Sequence, residues 1–162
     1  MKQIAIIALL AGCASAEQLD PQKGAVYSAM STLGYTETSH RQELKELTGV
    51  DPVRTEWCAA FVNAILDVNN IPGSESVSEY PLTARSFLRW GVPVQEPIKG
   101  DIVVFPRGNQ GWQGHVGFYI STYHTNGITY YLILGGNQND SVSYELYPAS
   151  SALSIRRHES AF

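Results

Sequence analysis

The chain has 162 residues, of which 44% are apolar and 16% are charged, and its formal net charge is −4. This length fits one ordinary domain rather than two, and the composition is that of a chain that folds around an apolar core. The negative charge argues against a nucleic-acid-binding protein, because such proteins use clustered Lys and Arg to neutralise phosphates.

The first 16 residues predict an export signal rather than a part of the fold. Lys2 precedes an apolar run, 4–11, that is too short to span a bilayer as a helix. Residues 10–13 read Leu-Ala-Gly-Cys and are similar to the lipobox of bacterial lipoproteins, in which Cys13 is lipidated and becomes the N-terminus. Cleavage after Ala16, or an uncleaved anchor, are the alternatives. We therefore expect an exported protein of the periplasm or cell envelope, anchored to the membrane if Cys13 carries lipid.

The rest of the chain divides into a linker, a helical half and a strand-rich half. We expect a linker over 17–24 and one domain over 25–162. The predicted helices are 25–33, 39–47 with Ser39 as its cap, 56–68 with Thr55 as its cap, and 82–90. Pro93 and Pro97 are expected to prevent regular structure before Lys99. Alternating apolar residues then predict strands over 101–105, 116–123, 128–134, 142–146 and 153–157. Helices followed by antiparallel strands indicate an α+β fold.

Cys58 is a candidate nucleophile. Cys13 is the chain's other cysteine, and signal processing removes or modifies it, so Cys58 has no disulfide partner within the chain. Cys58 lies in the first turn of the predicted third helix, where unpaired N–H groups and the helix dipole lower a thiol pKa. The alternative is a small core residue, because Cys58 shares a helix face with Phe61, Val62 and Ile65.

His115 opens a predicted strand and lies on the face opposite that strand's apolar residues, Val116, Phe118 and Ile120. A three-residue turn over 125–127 pairs Phe118 with Leu134 and keeps one face apolar, whereas a two-residue turn over 126–127 pairs it with Gly135.

We therefore predict the three-residue turn. It places Asn137 opposite His115, where the amide oxygen would orient the imidazole. A bulge at Gly135-Gly136 would shift this pairing by one residue. A solvated His115 and an Asn137 that merely belongs to a loop are the alternatives.

Other residues near these stretches are candidates for contacting the substrate or a reaction oxyanion: Glu56, Trp57 and Gln138. Trp57, Trp90 and Trp112 either line a groove or pack in the core. No His, Cys, Asp or Glu cluster has metal-ligand spacing and no glycine-rich phosphate loop is present, so we expect no metal and no cofactor.

The segments 56–63, 100–105, 114–119 and 134–138 read EWCAAFVN, GDIVVF, GHVGFY and LGGNQ. In this order they resemble the CHAP (cysteine, histidine-dependent amidohydrolase/peptidase) and NlpC-type peptidoglycan hydrolases of bacteria and phages, including endolysin-like enzymes. The segment 84–91 resembles the middle of the same group.

The resemblance implies a papain-like fold, with a catalytic helix packed on a C-terminal antiparallel sheet. It implies Cys58 as the nucleophile, His115 as the base and Asn137 as the orienting residue. The expected activity is cleavage of an amide in peptidoglycan, as an amidase or endopeptidase, by a monomer without a cofactor. An acyltransferase with the same triad, or a non-catalytic wall-associated lipoprotein, are the alternatives.

Overall fold

The computed structural model describes residues 21–159, which form an α+β fold. The helices are α1 (Pro21–Met30), α2 (Arg41–Thr48) and α3 (Cys58–Val68), with 3₁₀ helices at Ser74–Ser76, Ala84–Arg89 and Ala149–Ser151. The strands are β1 (Val92–Val94), β2 (Ile102–Pro106), β3 (Gly114–Thr125), β4 (Ile128–Gln138), β5 (Ser141–Pro148) and β6 (Ser154–Arg157). They form one sheet in the order β1-β6-β2-β3-β4-β5, and every neighbouring pair is antiparallel. The predicted α+β class and antiparallel sheet are confirmed.

The sheet separates two apolar clusters, because successive strand residues point to opposite faces. The larger cluster joins the helices to one face and includes Phe61, Ile65, Val116 and Phe118. The smaller cluster lies on the other face and includes Val103, Phe105, Tyr119, Ile133 and Ile155. Helix α3 packs against both β3 and β4. The start of α3 therefore lies against the sheet, where β3 begins.

Helices α2 and α3 begin later than the sequence predicts, whereas α1 begins earlier, at Pro21. Helix α3 begins at Cys58 with Trp57 as its N-cap, and neither Thr55 nor any other side chain caps it. Helix α2 begins at Arg41 with His40 as its N-cap, so the predicted cap at Ser39 is also wrong. Cys58 nevertheless occupies the first turn of α3, as predicted, because the helix shortens by only two residues.

Two further predictions need correction. Residues 21–24 are not a linker, since they belong to α1, and the buried Gln22 donates a hydrogen bond to Gly100 O at 3.0 Å. Pro93 does not prevent regular structure, because it lies in β1, an edge strand that pairs with β6 alone and therefore tolerates a missing N–H. The predicted export signal over 1–16, with Cys13, lies outside the described residues, as do 17–20. Among residues 21–159 no helix has the length and apolar character needed to cross a membrane.

The β3–β4 hairpin reaches the predicted register by a different route. Thr125 pairs with Ile128, so the turn has two residues, Asn126 and Gly127, with φ of 50° and 74°. Positive φ at both central positions is the geometry of a tight hairpin turn. A bulge between Tyr119 and Ser121 then shifts the pairing, and Phe118 lies opposite Leu134. The predicted three-residue turn is wrong. The predicted pairing of Phe118 with Leu134 is confirmed, but beyond the bulge Leu132 pairs with Ser121 rather than with Ile120.

Candidate active site

His115 is held rigidly at the start of β3. It pairs with Phe105 across the sheet, is 1% exposed, and stacks on Tyr147 with ring centroids 5.3 Å apart. A Cβ added at Gly135 would lie 3.3 Å from His115 Nε2, so glycine at that position leaves room for the ring. These contacts confirm that His115 faces away from the helical core.

A hydrogen bond to Gln138 fixes the tautomer of His115. Gln138 Nε2 donates to Ser143 O at 2.6 Å, and since a carbonyl can only accept, Gln138 Oε1 must be the atom that faces His115. Oε1 lies 2.9 Å from His115 Nε2, which therefore carries the proton. His115 Nδ1 keeps its lone pair, and it is buried without a hydrogen-bond partner among the described residues. The ring thus presents one basic nitrogen.

Asn137 does not orient His115, which corrects the prediction from the sequence. The β4–β5 pairing shifts between Gly135 and Gln138, and Asn137 has a φ of 56°. This bulge breaks the alternation of side chains, so that Gln138 points to the imidazole. The Asn137 side chain turns away, and its Nδ2 donates to Glu56 Oε2 at 2.7 Å. The acceptor is therefore Gln138, the neighbour to which a bulge would shift the pairing.

Cys58 is the first residue of α3, is 4% exposed, and borders a cleft. Its sulfur lies beside the backbone N–H groups of Ala59 and of Val116, the residue that follows His115. Burial raises the thiol pKa above its ordinary value, and this effect exceeds the lowering by Arg107 and by the two N–H groups. The Ala59 N–H at the helix start lowers this pKa, as expected, but the net shift is upward because the expectation left out the desolvation of the thiolate.

The pKa of His115 moves in the opposite direction. Burial, followed by the nearby charge of Arg107, lowers it from 6.5 to about 4, against an upward effect of the Gln138 hydrogen bond. At neutral pH the free protein therefore holds a protonated thiol and an uncharged imidazole. Because the thiol pKa is raised and the imidazole pKa is lowered, the thiol does not transfer its proton to Nδ1 in the free protein. The lone pair at Nδ1 can accept that proton as the sulfur forms a new bond.

The cleft beside Cys58 is small, about 150 Å³. Its lining consists of Glu56, Cys58, Leu82, Thr83, Ala84, Arg107, Trp112, Gln113 and Gly114. Small-molecule sites usually measure about 300–1,000 Å³, so this cleft suits one segment of an extended chain that continues over the surface. Trp112 is 65% exposed at its edge, whereas Trp57 and Trp90 are buried. Of the three tryptophans, Trp112 therefore lines the groove, and Trp57 and Trp90 pack in the core.

The two other candidates from the sequence differ in their access to the cleft. Trp57 is fully buried, and its Nε1 donates to Glu37 Oε1 at 2.8 Å. A Cβ added at Gly136 would lie 2.4 Å from the Trp57 ring, so this indole packs beneath the bulge rather than against a ligand. The side chain of Glu56 is 83% exposed and lines the cleft, where it can meet a substrate.

Arg107 is a site residue that the sequence interpretation missed. It follows β2, its side chain is 37% exposed, and its charge lowers the pKa of both Cys58 and His115. The only sequence signal around Arg107 is that Pro106 and Gly108 flank it and end a strand, which indicates a turn and not a functional residue. Its place beside Cys58 depends on the packing of β2 against β3. Within residues 21–159, no group of three or more His, Cys, Asp or Glu side chains could hold a metal ion.

One of three comparisons with known proteins found a match. A family model described as the CHAP domain matches residues 50–137, more than half of the chain, and includes Cys58 and His115. No curated protein and no solved structure matches the chain significantly. The match confirms the resemblance found in the sequence and implies activity of the peptidoglycan hydrolase type, as an amidase or peptidase. The chain therefore belongs to the CHAP domain family.

Proposed function

We propose that this protein cleaves an amide bond of peptidoglycan with Cys58 as the nucleophile, His115 as the base and Gln138 as the residue that orients the base. The observation that carries the proposal is the one-sided hydrogen bonding of the imidazole. Nε2 is tied to Gln138 at 2.9 Å, and Nδ1 is buried and unpartnered. A purely structural histidine at 1% exposure would be expected to satisfy both nitrogens.

In the proposed acylation, the Cys58 proton passes to His115 Nδ1 as the sulfur attacks the amide carbonyl carbon. The carbonyl oxygen becomes an oxyanion, which the unpaired N–H groups at the start of α3 stabilise. The C–N bond then breaks, the Nδ1 proton passes to the leaving amine, and a thioester remains on Cys58. Gln138 keeps Nδ1 as the basic nitrogen throughout, because its own amide is held by Ser143 O at 2.6 Å.

In deacylation, His115 Nδ1 takes a proton from a water molecule as the water oxygen attacks the carbonyl carbon of the thioester. Collapse of the second tetrahedral intermediate releases a carboxylic acid and returns the proton to the sulfur. The low pKa of His115, about 4, keeps Nδ1 unprotonated and able to act as a base down to mildly acidic pH.

The test is digestion of purified cell walls, followed by mass spectrometry of the released muropeptides. The wild type should release fragments that differ from the intact polymer by one water per cut amide. Cys58→Ala and His115→Gln should each abolish release, and a Cys58→Ser variant with the wild-type rate would remove Cys58 from the mechanism. Adding an amine separates the two reaction classes, since an acyltransferase would yield a new amide and a hydrolase a carboxylic acid.

We also propose that residues 1–16 direct export and that Cys13 carries lipid, so that the domain acts at a membrane that faces the wall. The support is the lipobox-like sequence over 10–13. Metabolic labelling with a palmitate analogue should mark the wild type and not Cys13→Ala. Labelling of both, or of neither, would reject lipidation at Cys13, and N-terminal sequencing would then report whether cleavage follows Ala16.

A further inference from the structure

Arg107 is the one cation among the residues that line the cleft of the described domain. Glu56 is the one anion, and the other lining residues are neutral. Arg107 and Cys58 line the same cleft, and the Arg107 charge lowers the pKa of both Cys58 and His115. A ligand that approaches the Cys58 sulfur through this cleft therefore passes a positive charge.

Few contacts hold this guanidinium. Its Nη2 donates to Asn137 O at 3.2 Å, and its charge lowers the pKa of the nearby Tyr147 hydroxyl against the larger upward effect of burial. Its ion pair with Glu56 is loose, at 3.7 Å between Nη1 and Oε2, and that oxygen already accepts from Asn137 Nδ2 at 2.7 Å. A guanidinium has five N–H donors, so donors remain for a ligand.

Arg157 shows how a structural arginine is satisfied in the same protein. Its Nε and Nη2 donate to the two oxygens of the buried Asp101, at 2.9 Å and 2.7 Å. Such a two-point pairing with a carboxylate is the arrangement that best matches a guanidinium. Among residues 21–159, Arg107 has no comparable carboxylate partner, because its ion pair with the 83% exposed Glu56 is a single contact of 3.7 Å.

We propose that Arg107 binds a free carboxylate of the substrate, and that the enzyme therefore cleaves amides that lie next to an acidic residue of the peptidoglycan peptide. This inference rests on the proposed function, and names its substrate class. The loose ion pair with Glu56 leaves N–H donors of Arg107 available. A substrate carboxylate would pair with these donors while the neighbouring substrate amide lies at Cys58. A substrate with a neutral carboxamide instead would leave the cation without its partner.

The test uses two soluble muropeptides that differ in one group, a carboxylate or a carboxamide on the residue next to the scissile amide. We expect wild-type kcat/KM to favour the carboxylate form by about 10- to 100-fold, as for the loss of a charged hydrogen bond. Arg107→Gln should bring the ratio close to one, and Arg107→Lys should give an intermediate ratio because it keeps the charge without the fork.

The ratio separates substrate recognition from any effect of Arg107 on the thiol. A change in the reactivity of Cys58 alters the rates for both muropeptides equally and cancels in their ratio. Arg89→Gln is the matched control, since Arg89 is exposed and does not line this cleft, and it should keep the wild-type ratio. An unchanged ratio in Arg107→Gln, or a wild type without preference, would overturn the proposal.

Binding distinguishes a failure of this inference from a failure of the proposed function. If the wild type cleaves neither muropeptide, the proposed hydrolysis of these amides is wrong, and calorimetric titration of the wild type with each muropeptide then decides on Arg107. Tighter binding of the carboxylate form, lost in Arg107→Gln, would support recognition by Arg107. Equal affinities for the two forms would refute it.

Discussion

The pKa of His115 predicts how the stability of the fold depends on pH. Burial lowers this pKa from 6.5 to about 4, so the folded protein keeps the ring neutral under conditions in which the unfolded chain binds a proton. Between those two values the unfolded state binds more protons, and the free energy of unfolding therefore falls as the pH falls. A shift of about 2.5 pH units, at about 1.4 kcal/mol per unit, corresponds to a loss of about 3 kcal/mol. Above pH 6.5 this contribution is fully present.

The measurement is urea unfolding, followed by tryptophan fluorescence at pH 7, 6, 5 and 4, with the buried Trp57 and Trp90 as reporters. His115→Gln has no group that titrates at this position, so it serves as the reference that removes the contributions of carboxylates elsewhere. The stability of the wild type relative to this variant should fall by about 2 kcal/mol between pH 7 and 5, and by about 3 kcal/mol at pH 4. Parallel pH dependences of the two proteins would refute the buried, neutral imidazole.

Three further predictions concern the site and its support. Gln138→Leu removes the acceptor that orients the imidazole, and should lower kcat about 100-fold with little change in KM; a loss of less than threefold in wall digestion would contradict an orienting role. Gly136→Ala places a Cβ 2.4 Å from the Trp57 ring and should destabilise the fold by about 2 kcal/mol in urea unfolding. Gly111→Ala, whose Cβ meets nothing within 4 Å, should be near neutral, and equal effects would reject this packing argument. Alkylation of Cys58 by iodoacetamide should rise about tenfold per pH unit between pH 7 and 9 because its thiol pKa is raised, and a rate already constant at pH 7 would show a preformed thiolate.

Local patterns in the sequence predicted the sheet well. The alternation of apolar residues in β3 identified its core face, and the pairing of Phe118 with Leu134 followed from the need to bury that face. The start of α3 was predicted to within two residues, which was sufficient to place Cys58 in its first turn. Each of these features depends on residues that are close in sequence or that repeat with a fixed period.

The features that escaped prediction depend on tertiary packing. The bulge at Ile120 inserts a residue that no periodic pattern reveals, and the bulge between Gly135 and Gln138 was foreseen only as an alternative to the predicted pairing. Arg107 gains its role only when β2 packs beside β3. The lowering of the Cys58 pKa by the Ala59 N–H is a local effect and was foreseen, whereas the burial that outweighs it depends on tertiary packing.

The bulge that ends β4 has a consequence for how related chains are compared. It directs two consecutive side chains to different partners, Gln138 to the imidazole and Asn137 to Glu56. Suppose that two chains of this fold differ only in whether this bulge residue is inserted. The residue that accepts the hydrogen bond from the histidine would then have sequence positions in the two chains that differ by one. Counting residues from the histidine would then equate an amide that binds the imidazole with one that binds Glu56. The reliable criterion is where the amide nitrogen donates, as Gln138 does to Ser143 O.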